Sequence, residues 1–393
     1  MGQRRRHWIW IAAMVATSLA TTAVSLRTPT ERVVVRLRST DTPRAWPTIA
    51  APELERLGLN VIELPRSDVI GLMAGNSDIE FVQRVQRVSL QQTAPNDPFW
   101  AQQYGPNRIR LPQAWQLTTG ASHVIIAVID TGVDLDHPDL QGKLVPGVNW
   151  INASLPPDDD HGHGTHVAGI AAASTSNGLG IAGASWGARI MPLKALDSAG
   201  NGDDADVASA IVWATEHGAS VINLSLGGPC PSPVMELAAT YAYTMGVTVV
   251  AAAGNQNGPV LCPAAASSVI AVAATDGNDV RAAFSNVGPE MDVAAPGVGV
   301  FSTARGGGYE YRSGTSMATP LVSGVIALMA CQPQFTSPAE LRSALEDTAL
   351  DLGSPGPDNE YGAGLIQADA ALQYQTGGNS PHCFTNYLPI VHR

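Results

Sequence analysis

Short apolar runs, each followed by small or polar residues, recur along most of the chain and alternate with stretches of helical period. Residues 123–129, 190–193, 220–224, 247–252 and 269–273 are apolar at nearly every position rather than every second one, as in strands buried on both faces. A weaker run covers 291–294. Between them, 206–217 and 234–245 carry the spacing of amphipathic helices. Strands alternating with helices predict a mostly parallel sheet covered on both sides. Further on, 320–330 is almost wholly apolar and predicts a helix in the centre of the protein. The stretch 337–348 predicts a surface helix, with Ser337 as cap, Pro338 at its first position and Glu340 three residues from the cap.

The amino-terminal part is patterned differently. Arg4, Arg5, Arg6 and His7 precede an apolar run over 8–24 with Ala20 and Ala23 near its end, the order of a secretory signal peptide over 1–25. A retained membrane anchor is the alternative, and both place the body of the protein outside the cytoplasm. Residues 26–90 predict a small α/β unit with a strand at 32–38 and helices at 53–57 and 79–86. Residues 93–100 then predict turn and linker, and the polar stretch after residue 373 a surface tail.

Charge marks the same division. Residues 91–393 hold ten basic and twenty-six acidic side chains, a net charge of −16, whereas 1–90 hold twelve basic and eight acidic ones. So acidic a body excludes a nucleic-acid partner, and the break near residue 90 is where a processing junction is expected. Four cysteines, Cys230, Cys262, Cys331 and Cys383, fit two bridges in an oxidising compartment, with three possible pairings.

Candidate chemistry gathers where strands end. Asp130 follows a buried strand directly, and a carboxylate there is costly unless it is paired. His161, His163 and His166 crowd the head of a helix-like run. Their spacing allows a metal cluster, but no acid completes one, and a histidine used as base and oriented by a carboxylate fits better. Ser316 stands among small residues ahead of the buried helix, and a serine hydroxyl needs such a base. Asn255, just past another strand, is a neutral donor suited to a developing oxyanion.

Taken together, the segments AVIDTG at 127–132, HGTHVAG at 163–169, SLGG at 225–228, AAAGN at 251–255 and GTSMATP at 314–320 resemble those of the subtilisin-like serine proteases (subtilases), most closely the thermitase branch. The resemblance runs from about Pro95 to Leu372. It implies a three-layer α/β subtilisin-like fold with a central mostly parallel sheet and a buried helix after the catalytic serine, preceded by a small α/β propeptide. The implied organisation is signal peptide 1–25, propeptide 26–92 acting as folding aid and intramolecular inhibitor, catalytic domain 93–375 and tail 376–393.

The implied function is that of a secreted, monomeric serine endopeptidase without a membrane span after processing. Asp130 would orient, His163 would act as base and acid, Ser316 would attack, and Asn255 with the Ser316 N–H would form the oxyanion hole; His161 and His166 would not be catalytic. Leu224, Ser225, Leu226, Gly227 and Gly228 would pair with an extended peptide. Ala251, Ala252, Ala253 and Gly254 would help line a pocket for apolar or aromatic residues, with Gln256 at its rim. A structural calcium ion would be held by Asp97, Asp139 and Asn177 with backbone oxygens of Ser174, Leu179 and Ile181. Bridges Cys230–Cys262 and Cys331–Cys383 are the implied pairing. The rival functions are a binding-only relative, which would lack a triad residue, and an acyl hydrolase acting mainly on esters, whose GxSxG motif is absent around Ser316.

Overall fold

The computed structural model describes residues 30–38, 48–49, 51–65, 68–69, 79–85 and 94–375, so the expected signal peptide, the tail 376–393 and Cys383 lie outside the described residues. The chain divides into two compact units, 1–91 and 92–393.

In the first unit, β1 (Thr30–Leu37), β2 (Thr48–Ile49), β3 (Leu59–Pro65) and β4 (Ile79–Arg84) form an antiparallel sheet in the order β2-β3-β1-β4, with a one-turn helix α1 (Pro52–Glu55) before β3. Val33 and Val35, two residues apart and so on one face of β1, bury themselves with Ile62, Val69 and Ile79. The helix expected at 79–86 is therefore a strand. Its apolar residues Ile79, Phe81, Val82 and Val85 satisfy neither period cleanly, and pairing of Val34 with Gln83 and of Val35 with Val82 decides the matter.

The second unit opens with two short helices, α2 (Gly105–Arg108) and α3 (Leu111–Ala114), and is built on a seven-stranded parallel sheet. Its strands are β5 (Ile125–Asp130), β6 (Val148–Asn149), β7 (Arg189–Lys194), β8 (Val221–Leu224), β9 (Thr248–Ala252), β10 (Val269–Thr275) and β11 (Val293–Pro296), in the order β11-β10-β9-β8-β5-β7-β6. The helices are α4 (His163–Ala172), α5 (Asp204–Glu216), α6 (Pro233–Thr244), α7 (Thr315–Met329), α8 (Pro338–Asp347) and α9 (Ala368–Leu372). An antiparallel hairpin, β12 (Val300–Ala304) and β13 (Gly308–Arg312), precedes α7.

Alternation along β5 sorts the layers. Ile126 and Val128 pack in one core with α4 and α7, while Ala127 and Ile129 pack in another with α5 and α6. The three-layer α/β fold follows from both faces being apolar. From β5 the chain first builds β6 and β7 on one side, then crosses to β8 on the other. The carboxyl ends of β5 and β8 thus flank the point where the strand order reverses, the usual place for a site in such sheets.

Candidate active site

Asp130 is the last residue of β5 and has no solvent exposure. Its Oδ1 accepts hydrogen bonds from the Thr131 N–H and from His163 Nδ1, each at 2.7 Å. His163 is the first residue of α4, four residues ahead of the apolar run that marked this helix in the sequence. Gly164 explains how the two meet. A Cβ there would lie 2.0 Å from the Gly132 carbonyl oxygen and 3.0 Å from Asp130 Cβ, so only glycine lets the helix start rest on the end of β5. Burial works against protonation of the imidazole, yet the Asp130 charge and hydrogen bond outweigh it and hold the His163 pKa above its ordinary value. His166, one turn on, donates from Nε2 to the Glu310 carbonyl at 3.1 Å, and burial pushes its pKa down to about 3. It stays neutral, and it points to a different partner from His163.

Ser316 is the second residue of α7, which begins five residues before the expected start at Pro320. The proline sits inside the helix and has no N–H for the carbonyl four residues back, which is that of Ser316. That carbonyl accepts instead from Ser225 Oγ at 2.8 Å, and Ser316 Oγ donates to the Ser225 carbonyl at 3.0 Å. The reciprocal pair fastens the start of α7 to the end of β8. Beneath it, Asn223 donates to Ser225 Oγ at 3.0 Å and accepts from Ser323 Oγ at 2.9 Å. Ser225 is expected on the substrate-pairing segment rather than as this tie; for Asn223 and Ser323 the one signal is an asparagine inside the apolar run 220–224.

Asn255 lies in the turn after β9. Its Oδ1 accepts from both the N–H and the hydroxyl of Thr315, at 2.9 and 3.0 Å, which fixes the amide with Nδ2 turned away. A Cβ built on Gly314 would stand 3.5 Å from Asn255 Nδ2 and 3.6 Å from the Ser316 N–H nitrogen. Two donors therefore border one space, and the absence of a side chain at 314 keeps it open.

His163, Thr131, Ser225, Leu226, Gly227 and Gly228 line a common groove of about 800 Å³. Leu224 and Ala251, Ala252, Ala253 and Gly254 are buried behind it, with their backbone groups engaged by neighbouring strands and by Asn286 and Thr315. Gln256 is exposed and bonds Asn286. Ser232, on the same groove wall, donates its hydroxyl to Asp204 at 2.9 Å and is committed there. Cys230 and Cys262 are bridged, and Gly228 and Cys262 exchange backbone bonds beside the bridge, so the groove wall is tied to the chain beyond Asn255. The expected partner of Cys331 lies outside the described residues.

The oxygen-rich set also comes together. Asp97 receives the N–H groups of Ser176 and Asn177, while Asp139 receives those of Asn177 Nδ2 and Ile181. Ser174 donates its N–H to the Asp139 carbonyl, and Leu179 to Asn177 Oδ1. Burial pushes both carboxyls up, and Asp97 adds to the effect at Asp139. No lysine or arginine pairs with either among the described residues, so the loop concentrates negative charge on hard oxygen donors. The described residues contain no group of three or more His, Cys, Asp or Glu side chains that could hold a metal ion.

Comparison with known proteins gives a consistent result. The model of the subtilase family matches residues 121–364. The thermophilic serine proteinase of a Bacillus species is 47% identical over 270 residues, covering 68% of this chain and 67% of that protein. Thermitase of Thermoactinomyces vulgaris is 45% identical, covering 71% of this chain and 99% of its own. Among solved structures, a protease from Pseudoalteromonas arctica superimposes with a TM-score of 0.66 at 34% identity, covering 72% of this chain and 99% of that one.

Proposed function

Because the chain belongs to the subtilase family, we propose that its serine endopeptidase activity is carried by Asp130, His163 and Ser316, with Asn255 and the Ser316 N–H as the oxyanion site. The protein is a serine endopeptidase acting on protein and peptide substrates. The observation that carries the residue assignment is that Asn255 Nδ2 and the Ser316 nitrogen lie 3.5 and 3.6 Å from one point at Gly314, two residues before Ser316. Ser232 is the less suitable nucleophile, since its hydroxyl proton is held by Asp204.

The steps follow from the contacts. An extended substrate lies along Ser225–Gly228, and the hydroxyl of Ser316 leaves the Ser225 carbonyl, gives its proton to His163 Nε2 and attacks the scissile carbonyl carbon. Negative charge collects on the carbonyl oxygen between Asn255 Nδ2 and the Ser316 N–H. Asp130, accepting from Nδ1, stabilises the imidazolium and leaves the proton transfer to Nε2. His163 then protonates the leaving amine, the peptide C–N bond breaks, and water hydrolyses the ester by the same route. The part of the groove wall formed by Leu226, Gly227 and Gly228 favours apolar or aromatic side chains ahead of the cut, which profiling with peptide libraries tests.

The base must be neutral to act. With its pKa held above the ordinary histidine value, kcat/KM is expected to rise with pH through a midpoint on the alkaline side of an ordinary histidine's, as a pH–rate profile on an uncharged peptide will read. The sign for stability is opposite. A histidine pKa raised by folding contributes fully below its unfolded value and is lost as pH passes the folded one, so activity grows while this contribution fades.

A calcium ion, held by Asp97, Asp139, Asn177 and the oxygens of Ser174, Leu179 and Ile181, would neutralise the charge of that loop and tie residue 97 to 174–181. Adding calcium at about a hundred times its dissociation constant is expected to stabilise by ~2.7 kcal/mol. That corresponds to a rise in Tm of roughly 5–10 °C, abolished in Asp139→Asn, as thermal melts with and without a chelator will read. Residues 26–92 act as an inhibitory leader in this scheme, and the mature enzyme is a secreted monomer; no helix among the described residues is long and apolar enough to cross a membrane.

A further inference from the structure

Lys194 is a charged residue that the mechanism above does not use. It ends β7 beside Asp130 in the sheet and is 3% exposed. A buried ammonium is costly unless all its protons are placed, and here they are. Nζ donates to the Thr131 carbonyl at 2.7 Å, to Asp160 Oδ1 at 2.6 Å and to the Leu196 carbonyl at 2.9 Å. Thr131 directly follows the proposed orienting acid, and Asp160 lies three residues before the proposed base. One ammonium thus joins the two segments whose spacing sets the Asp130–His163 contact.

A second, parallel tie supports this geometry without duplicating it. Asp159 accepts from the Thr131 hydroxyl at 2.8 Å, from the His161 and Gly162 N–H groups, and from the N–H and hydroxyl of Thr165. Asp159 therefore holds the histidine loop to Thr131 by uncharged donors, whereas Lys194 adds the balancing charge. The charged and titratable groups around His163 are Asp130 from β5, Asp159 from the preceding loop, Arg312 from β13, His161 at 6.3 Å between ring centroids, and the neutral His166 on the same helix. Around Lys194 they are Asp160, whose side chain is about half exposed and whose carbonyl accepts from Arg305 of the β12–β13 turn, and, more weakly, Asp197.

We propose that Lys194 and Asp160 are a positioning pair for proteolysis: the buried ammonium fixes the distance between the segments bearing acid and base, and the pair keeps the charge beside His163 balanced. The inference rests on the assignment of Asp130 and His163 above. Asp130 keeps its own bond from the Thr131 N–H, and its carbonyl keeps those from Ala195 and Leu196, if the lysine is removed. The charge change then sets the direction. Loss of the cation leaves Asp160 uncompensated and favours the imidazolium; loss of the anion does the reverse.

The test is the pH dependence of kcat/KM and the split of kcat from KM on an uncharged peptide, using the mature enzyme normalised by active-site titration. Lys194→Met is expected to lower kcat about tenfold with KM within about twofold, and to move the acidic midpoint up by about half a pH unit. Asp160→Asn, which keeps an acceptor for the ammonium, is expected to move it down by a similar amount. The double variant should return the midpoint to that of the unsubstituted enzyme while kcat stays low. A merely structural lysine would change the active fraction and leave every midpoint in place, and that result overturns the proposal. Should Lys194→Met not fold, an unmoved midpoint in Asp160→Asn alone overturns it. Failure of the unsubstituted enzyme to cleave any peptide would instead count against the assignment of function.

Discussion

Replacing Ser316 by alanine is expected to lower kcat by about 10⁶-fold, with little change in KM or in the melting curve. The magnitude is carried over from the archetype of the same family rather than calculated for this chain. Its physical basis is that the hydroxyls lining the neighbouring groove, those of Thr131, Ser225 and Ser232, are all committed, Thr131 to Asp159. Ser225 donates to the Ser316 carbonyl and Ser232 donates to Asp204. Without the Ser316 oxygen there is no acyl-enzyme, and His163 can only assist direct attack by water. The folded state loses one hydrogen bond to the Ser225 carbonyl, worth about 1 kcal/mol, because the carbonyl of residue 316 keeps its bond from Ser225 Oγ. Burst-phase and steady-state kinetics on one peptide substrate check the prediction, with Ser232→Ala as control; that variant should retain activity within a few-fold.

Asn255→Ala is expected to reduce kcat by about 10²–10³-fold, some 3–4 kcal/mol of transition-state stabilisation, and to leave KM within about twofold. This figure too is the family archetype's. The asymmetry between kcat and KM follows from timing, since the amide meets full negative charge only when the tetrahedral intermediate forms. The Thr315 N–H and hydroxyl lose their acceptor in the variant, so a modest fall in Tm accompanies the effect. Asn255→Asp sharpens the comparison. It keeps the acceptor for Thr315 but puts a negative charge where an oxyanion must form, so it should be at least as impaired as Asn255→Ala while melting higher. Michaelis–Menten parameters and melts of the two variants will separate donor from scaffold.

Much of the fold was legible because the fully apolar runs have one stable use in a soluble protein, as central strands of a two-sided sheet. Strands β5 and β7–β11 appear where those runs fall, with no end shifted by more than two residues. Asp130, expected after the first run, closes β5 itself. The start of α7 was misplaced because a proline usually opens a helix; here Pro320 lies inside it, and the missing bond is replaced from Ser225. The hairpin β12–β13 carries no clear apolar period, since its strands are half polar and its turn is Arg305–Gly306–Gly307. At the site, motif residues stood out as polar groups at strand ends. The residues that hold them did not. Asn223 meets Ser323 100 residues on, Asp159 and Lys194 both bond Thr131, and Ser225, expected only to pair with substrate, ties α7 to β8; closure of the sheet alone reveals these contacts.

The identity of the attacking oxygen decides the mechanism. Incubation of the mature enzyme with a serine-directed phosphonylating reagent, followed by mass-spectrometric mapping of the modified peptide, tests this most directly. One label per molecule is predicted, on Ser316, formed in step with loss of peptidase activity and suppressed by His163→Ala. Label on Ser232, or full inactivation with Ser316 unmodified, would contradict it.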